Sequence, residues 1–258
     1  MRFSDESLAR RIETVSNDFM TEWLAGTGAR LERFGGAIAA VDPSRPELDF
    51  VNRVYGLWPE DAQSVDEIAA LYRRHGVRGW LELAPAERFE RLGTALAKVG
   101  AAHIGFHAVL CGDASARPTD DIEVEPASDP ELFADVLLRG HGVPEGARVR
   151  DRASVVRWAE IEVWRLYLAR IDGEPAGAAL LSLDDDMGYL ANASTLPEYR
   201  NRGVQTALIA RRIADAAAAG CDAVCSSAAF GSASQRNLER AGLRVAYTKA
   251  VWRLGNEG

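Results

Sequence analysis

The chain has 258 residues, of which 47% are hydrophobic and 26% charged, an ordinary balance for a folded globular protein. Lys and Arg number 30 against 38 Asp and Glu, and the net charge of −8 argues against broad nucleic-acid binding through phosphate neutralisation. Three cysteines (Cys111, Cys221, Cys225) are too few and too odd in number for a disulfide framework and fit a reduced, cytoplasmic setting. No apolar run approaches the roughly 20 residues of a membrane helix, and MRFSDESLARR lacks the apolar stretch of a secretory signal.

Leu8, Ile12, Val15, Phe19 and Trp23 recur at helical spacing, with Ser4 or Asp5 as cap and Gly26 and Gly28 as stop. Strand-like runs follow at Arg30–Phe34 and Ala37–Val41, and a third at Asp49–Tyr55. A helix is expected from Val65 to Arg74, a strand at Trp80–Leu83, a helix opened by Pro85 and running to Lys98, and a strand at Ala101–Leu110. Residues 112–130 change in texture to Asp, Pro, Ser and Ala and read as a linker containing the next strand, Asp121–Glu125. Helices near Pro130–Arg139 and Ala153–Ala159 come next. Trp164–Ile171 and Pro175–Leu183 form a hairpin on the Asp172-Gly173 turn signal, and Met187–Ala193 is a further strand. A long Ala-rich helix from Gly203 to Ala219, a strand at Ala223–Ser226, a helix at Ser232–Arg240 and a closing strand at Leu243–Arg253 complete the chain.

From residue 30 the first half reads β-β-β-α-β-α-β, and the second half contains the same order. This suggests a degenerate internal duplication, divided as 1–115 and 120–258. The alternation predicts a mixed α/β sheet flanked by helices in each half.

The stretch Thr195-Leu196-Pro197-Glu198-Tyr199-Arg200-Asn201-Arg202-Gly203-Val204-Gln205-Thr206 carries the most chemistry. A strand ends, a short basic loop follows, and a helix begins at Gly203. Backbone N–H groups at a helix start bind anions, and the helix dipole favours negative charge there. Gly203 permits close approach of a ligand, and Arg200 and Arg202 supply fixed positive charge for phosphate oxygens. A pyrophosphate suits this chemistry. The loop is too short for a G-x-x-x-x-G-K-[ST] cradle and lacks G-x-G-x-x-G.

R-N-R-G-V-Q resembles the [Q/R]-x-x-G-x-[G/A] loop of the GNAT acyltransferase superfamily. Ser232-Ala233-Ser234-Gln235-Arg236-Asn237-Leu238-Glu239-Arg240-Ala241-Gly242-Leu243 resembles that family's later helix and the G-[F/L] leading into its sixth strand. The likeness is specific over 160–250 and topological over 30–110. The whole is similar to actinobacterial two-part GNAT proteins, with Asn52-Arg53-Val54-Tyr55-Gly56-Leu57 as a recurring first-half feature. The resemblance implies a tandem GNAT-like fold and a site for acetyl-CoA or another acyl-CoA. Pantetheine would lie where the fourth and fifth strands splay apart. Contacts would come from Ser194, Thr195, Leu196 and the loop Arg200, Asn201, Arg202, Gly203, Val204, Gln205 and Thr206, with Ser234 and Asn237 at the later opening. No metal is implied. The expected reaction is direct attack of an amine on the thioester, the amine belonging to a small molecule. An acyl-CoA-binding or sensing module without turnover, and a peptide or protein N-acetyltransferase, are the alternatives. No nucleic acid or membrane is expected as partner, and a homodimer is left open.

Three departures from the family pattern stand out. Gln205 occupies a position where Gly or Ala is commonest. Leu238 replaces the tyrosine often used as general acid, and Gly188–Ala193 lacks the glutamate often used as base. Tyr247, five residues past Gly242, is the remaining candidate acid, with a half-buried strand tyrosine as the equal alternative. Backbone N–H groups near Ala193–Thr195 could serve the thioester carbonyl. Strand-borne Glu160 or Glu162, or Asp184–Asp186, could assist the base through water, although solvated surface carboxylates are the commoner case. The first half offers only the acidic Gly56–Ser64 at the equivalent loop, so one cofactor site per chain is expected, with the first half as scaffold or pocket wall. Cys225 reads as a small buried hydrophobe, and His103 and His107 as ordinary strand histidines despite a shared face.

Overall fold

The structure is a computed structural model and describes residues 6–115 and 122–255. The expected caps Ser4 and Asp5, and Asp121 at the start of the expected strand, lie outside those residues. Among the described residues the helices are α1 (Glu6–Ala25), α2 (Val65–His75), α3 (Glu90–Lys98), α4 (Pro130–Gly140), α5 (Glu145–Val156), α6 (Val204–Ala218) and α7 (Ala233–Arg240). The strands are β1 (Arg30–Phe34), β2 (Ala37–Val41), β3 (Arg53–Tyr55), β4 (Gly79–Leu83), β5 (Ala102–Asp113), β6 (Glu123–Pro126), β7 (Trp164–Ile171), β8 (Glu174–Asp184), β9 (Met187–Thr195), β10 (Ala223–Ala229) and β11 (Arg244–Leu254). The expected mixed α/β architecture is present, as is the repeated β-β-β-α-β-α-β order.

The chain packs as two compact units, 1–109 with 245–258, and 110–244. Packing and chain order therefore divide the molecule differently at β11. That strand follows the second unit in sequence but pairs antiparallel with β4, from Ala250 opposite Leu83 to Leu254 opposite Gly79, and belongs to the first unit. It covers an edge of β4 that would otherwise present unpaired backbone groups.

In the first unit the strands run β1-β2-β3-β4-β11-β5. Side chains alternate across β2: Ala37, Ala39 and Val41 enter the core built with α2 and α3, while Ala40 enters a separate core with Leu24 of α1 and Val51. Both faces of the strand are thus covered. α2 ends at Gly76, which takes φ +65° as a left-handed cap. Two expectations shift here. The helix anticipated from Pro85 begins only at Glu90, because Arg88 sits at φ +59° and the Glu87 N–H turns to donate to Glu6 Oε2 at 2.6 Å. The run Asp49–Tyr55 is half strand: Asp49–Val51 is a 3-10 turn and only Arg53–Tyr55 pairs. Fully buried Asn52 causes the break, its Oδ1 accepting from Asp42 N–H at 2.8 Å and its Nδ2 donating to Arg45 and Leu48 carbonyls at 2.9 and 3.1 Å.

In the second unit the strands run β10-β9-β8-β7-β6. The β7–β8 turn places Asp172 at φ +54° and Gly173 at φ +81°, both central positions left-handed as a two-residue hairpin requires. β8 is buried without interruption from Ala176 to Ser182, so it lies under helices on both faces. Ala178 and its partner Ser194 face α4, where the Ser194 hydroxyl donates to the Leu137 carbonyl at 3.0 Å. Gly177 and Thr195 face α6, where Gln205 Nε2 donates to Thr195 Oγ1 at 2.9 Å. α5 begins earlier than expected and is followed by a 3-10 turn at Arg157–Glu160. It buries only Val155, so no apolar stripe marks its start.

Candidate functional site

β9 and β10 pair in parallel over three positions only, Met187 with Ala223, Gly188 with Val224 and Tyr189 with Cys225. Beyond them both strands continue, to Thr195 and Ala229, without pairing each other. At the point of separation the Ser226 hydroxyl donates to the Leu190 carbonyl at 2.8 Å, a side chain replacing the lost ladder bond. The expected splay between the fourth and fifth strands of this unit is therefore present.

β9 is also distorted on its other edge. Leu180 pairs with Ala191 and Ala178 with Ser194, so Asn192 and Ala193 together oppose the single residue Ala179. This is a β-bulge, and Asn192 adopts φ +39° to make it. Behind it lies Arg212 of α6, 2% exposed, with Nη1 donating to the carbonyls of Leu180 at 3.0 Å and Ala191 at 3.2 Å and Nε donating to Leu208 at 2.9 Å. Burial pulls its pKa down to about 10, and the group stays protonated at neutral pH. Neither the bulge nor Arg212 figured in the sequence reading. The available signal was an arginine at the buried i+4 position from Leu208 in an otherwise Ala-rich helix.

At the end of β9, Leu196 is buried and its N–H donates to the Ala176 carbonyl at 2.9 Å. A short 3-10 turn, Pro197–Tyr199, leads into the loop. Asn201 at φ +63° and Gly203 at φ +86° bracket Arg202 with two left-handed residues. Such a backbone turns successive N–H groups toward one side, and glycine meets the requirement without steric cost. The first α6 bond runs from Ala207 N–H to Gly203 C=O at 3.0 Å, so the N–H groups of Val204, Gln205 and Thr206 have no acceptor within the helix. No side chain caps this end. Arg200, Asn201, Arg202, Gly203 and Thr206 are exposed, whereas Val204 is buried beneath the turn. Arg200 Nη2 reaches the Gly140 carbonyl at the end of α4 at 3.4 Å. Arg202 lies 3.6 Å from highly exposed Asp172 and over the Tyr199 ring, leaving its charge available to a ligand. Two cations beside an uncapped helix start are an arrangement whose chemistry suits an anion. Gln205, the departure from the usual small residue, turns its amide to Thr195 and leaves the backbone donors open.

The remaining candidates are more scattered. Ser234 is exposed at the start of α7, and Asn237 accepts from Arg240 at 2.6 Å through Oδ1. Tyr247 lies in the first unit, where its hydroxyl donates to Glu13 Oε1 at 2.6 Å. Glu160 and Glu162 are not strand-borne: the first ends a 3-10 turn and the second lies in a turn, both exposed. β9 supplies no carboxylate. Cys221 and Cys225 are buried, with burial pushing the Cys221 thiol up and Cys225 Sγ 3.4 Å from Met187 Sδ. His107 sits 2.8 Å from the Glu82 carboxylate and His103 stacks near Phe106 and Trp252. Among the described residues there is no metal-binding cluster and no helix long and apolar enough to cross a membrane.

Residues 139–243 match the acetyltransferase (GNAT) family model, a span that takes in the splay, the loop and α7 and stops one residue before β11. Residues 139–243 form a GNAT-family domain. The fold extends the likeness to most of the chain. A GCN5-related N-acetyltransferase from Kribbella flavida superposes with a TM-score of 0.66 at 14% identity over 96% of each chain. A functionally unknown conserved protein from Staphylococcus epidermidis gives 0.62 at 12% identity, covering 90% of this chain and 96% of that one. A tandem GNAT protein from the clavulanic acid biosynthesis pathway gives 0.59 at 15% identity over 80% and 76%. These superpositions show a shared mixed α/β fold and nothing about substrates. No curated protein matches the chain by sequence.

Proposed function

We propose that the chain is an acyl-CoA-dependent N-acyltransferase, with acetyl-CoA as donor and an amine of a small molecule as acceptor. The observation that carries this reading is the uncapped start of α6 behind left-handed Gly203, flanked by Arg200 and Arg202, at the mouth of the β9/β10 splay. The free N–H groups of Val204, Gln205 and Thr206 and the two arginines suit the pyrophosphate of coenzyme A. The free edges beyond Tyr189 and Cys225 suit an extended pantetheine arm. Ser194, Thr195 and Leu196, at the end of β9, are the proposed contacts between them.

In the reaction the neutral amine attacks the thioester carbonyl, forming the C–N bond. The carbonyl oxygen carries the charge until the C–S bond breaks; the attacking nitrogen gives up one proton to solvent water and the departing thiolate takes one, leaving an amide and the free thiol of CoA. Backbone N–H groups at Ala193–Thr195 are the candidate donors to that oxygen. Tyr247 is the candidate proton donor to the thiolate. An acyl-CoA-binding role without turnover is the second reading. It is favoured by the absence of a carboxylate on β9 and by the engagement of the Tyr247 hydroxyl with Glu13. Calorimetric titration with acetyl-CoA and with free CoA, followed by thiol release against an amine panel, separates the two. Binding with turnover supports the enzyme; binding with no thiol release from any amine supports the second reading.

A further inference from the structure

Arg212 is out of place for a residue that only fills space. Its guanidinium is buried, and among the described residues no carboxylate pairs with it. A buried charge in that condition is costly, and a methionine would fill a similar volume without the cost. What a methionine could not do is donate. Leu180 and Ala191 are the last register pair before the bulge, and a single nitrogen of Arg212 holds both of their carbonyls. The next β9 residues, Asn192 and Ala193, leave the β8 ladder, and Asn192 is held at a left-handed φ. The guanidinium therefore clamps both strands at the root of the bulge. It does so from a position eight residues into α6 from Val204, about 12 Å along the helix axis and away from the anion cradle.

We infer that Arg212 is a positioning residue, which fixes the bulge at Asn192–Ala193 and through it the backbone N–H groups that polarise the thioester carbonyl of the bound acyl group. The inference rests on the acyl-CoA reading of this domain. It separates two tasks within one helix: the first turn of α6 holds the phosphates, and Arg212 shapes the carbonyl end through β9.

The test is isotope-edited infrared spectroscopy of [1-13C]acetyl-CoA bound to the full chain, with CoA affinity measured in parallel. Bound to the wild-type protein, the labelled carbonyl stretch falls below its value in buffer. In Arg212→Met the stretch returns toward the buffer value while CoA affinity stays within threefold, because the cradle is untouched. An unshifted wild-type band, or the same lowered band in Arg212→Met, overturns the inference. Arg212→Lys covers the case in which Arg212→Met fails to fold. Its single nitrogen lacks the planar fork, so the band moves part of the way, and a band unmoved from wild type overturns the inference as well. Failure of the wild-type protein to bind CoA is seen before any variant is compared; it removes the underlying reading and this inference with it.

Discussion

Val204, the first residue of α6, packs directly on Gly177 of β8: a Cβ built on Gly177 would lie 2.6 Å from Val204 Cγ1 and 2.8 Å from the Ser194 carbonyl. The start of α6 is thus set by a missing side chain on the strand beneath it. Gly177→Ala forces the helix outward, and overpacking of this kind costs about 1–3 kcal/mol. We expect a lower unfolding midpoint and weaker CoA binding together. Gly146→Ala on α5, where an added Cβ meets nothing within 4 Å, leaves CoA affinity unchanged. Equal CoA affinity in Gly177→Ala and wild type would show that the helix start does not depend on this contact.

Arg202 is half exposed and its 3.6 Å approach to Asp172 is too loose and wet to hold it. Its charge is free for phosphate oxygens. Arg202→Ala is expected to weaken CoA binding by roughly fivefold, about 1 kcal/mol, and to flatten the dependence of affinity on salt. Titrations at low and high ionic strength check both. An unchanged salt slope would remove Arg202 from the cradle.

Much of this was legible in the sequence, and the reasons differ by element. The hairpin at Asp172-Gly173, the strands β1, β2 and β7 and the helix start at Gly203 each carry their own local signal, because a turn or a period demands particular residues. β11 carries a strand signal but no address: nothing local says that it pairs with β4 in the first unit. The bulge at Asn192 was invisible because a two-against-one register depends on the partner strand, and Arg212 was hidden because its carbonyl partners come from β8 and β9. α5, with Val149 and most of its face exposed, lacks the apolar period that a sequence reading uses.

Glu82 on β4 gathers three basic side chains in the first unit: Arg53, Lys249 at 3.7 Å and His107 at 2.8 Å, while Lys249 also pairs with Glu13 at 3.0 Å. Burial raises the Glu82 pKa, but Arg53, His107 and Lys249 outweigh it and hold the carboxyl far below the usual range. A depressed folded value means that the stabilisation is present above the unfolded pKa of about 4.5 and is lost as pH falls toward the folded one. Glu82→Gln leaves two buried cations short of charge and costs about 3–5 kcal/mol at neutral pH. Denaturant unfolding from pH 8 to pH 3 is expected to show this gap constant down to about pH 5.5 and narrower by about 2 kcal/mol at pH 3. A gap that widens on acidification would contradict the assignment.

Tyr247→Phe removes the 2.6 Å hydrogen bond to Glu13. The stability cost is about 1–2 kcal/mol, since the buried carboxylate keeps Lys249. If the phenol is the proton donor to the leaving thiolate, turnover falls at least tenfold with CoA affinity nearly unchanged. Glu13→Gln separates the roles, because it disturbs the same bond and leaves the phenol in place. Equal turnover in wild type and Tyr247→Phe would return Tyr247 to a purely structural part.

We propose the loop from Arg200 to Thr206 as a coenzyme A cradle. The most direct measurement is calorimetric titration of wild-type protein and Gly203→Asp with free CoA. At φ +86° an aspartate is strained, and it sets a negative charge against the pyrophosphate at the positive end of α6. Saturable binding to wild type is expected, with at least a tenfold weaker affinity, about 1.4 kcal/mol, in a folded Gly203→Asp. No binding to wild type, or equal affinity in the two proteins, would contradict it.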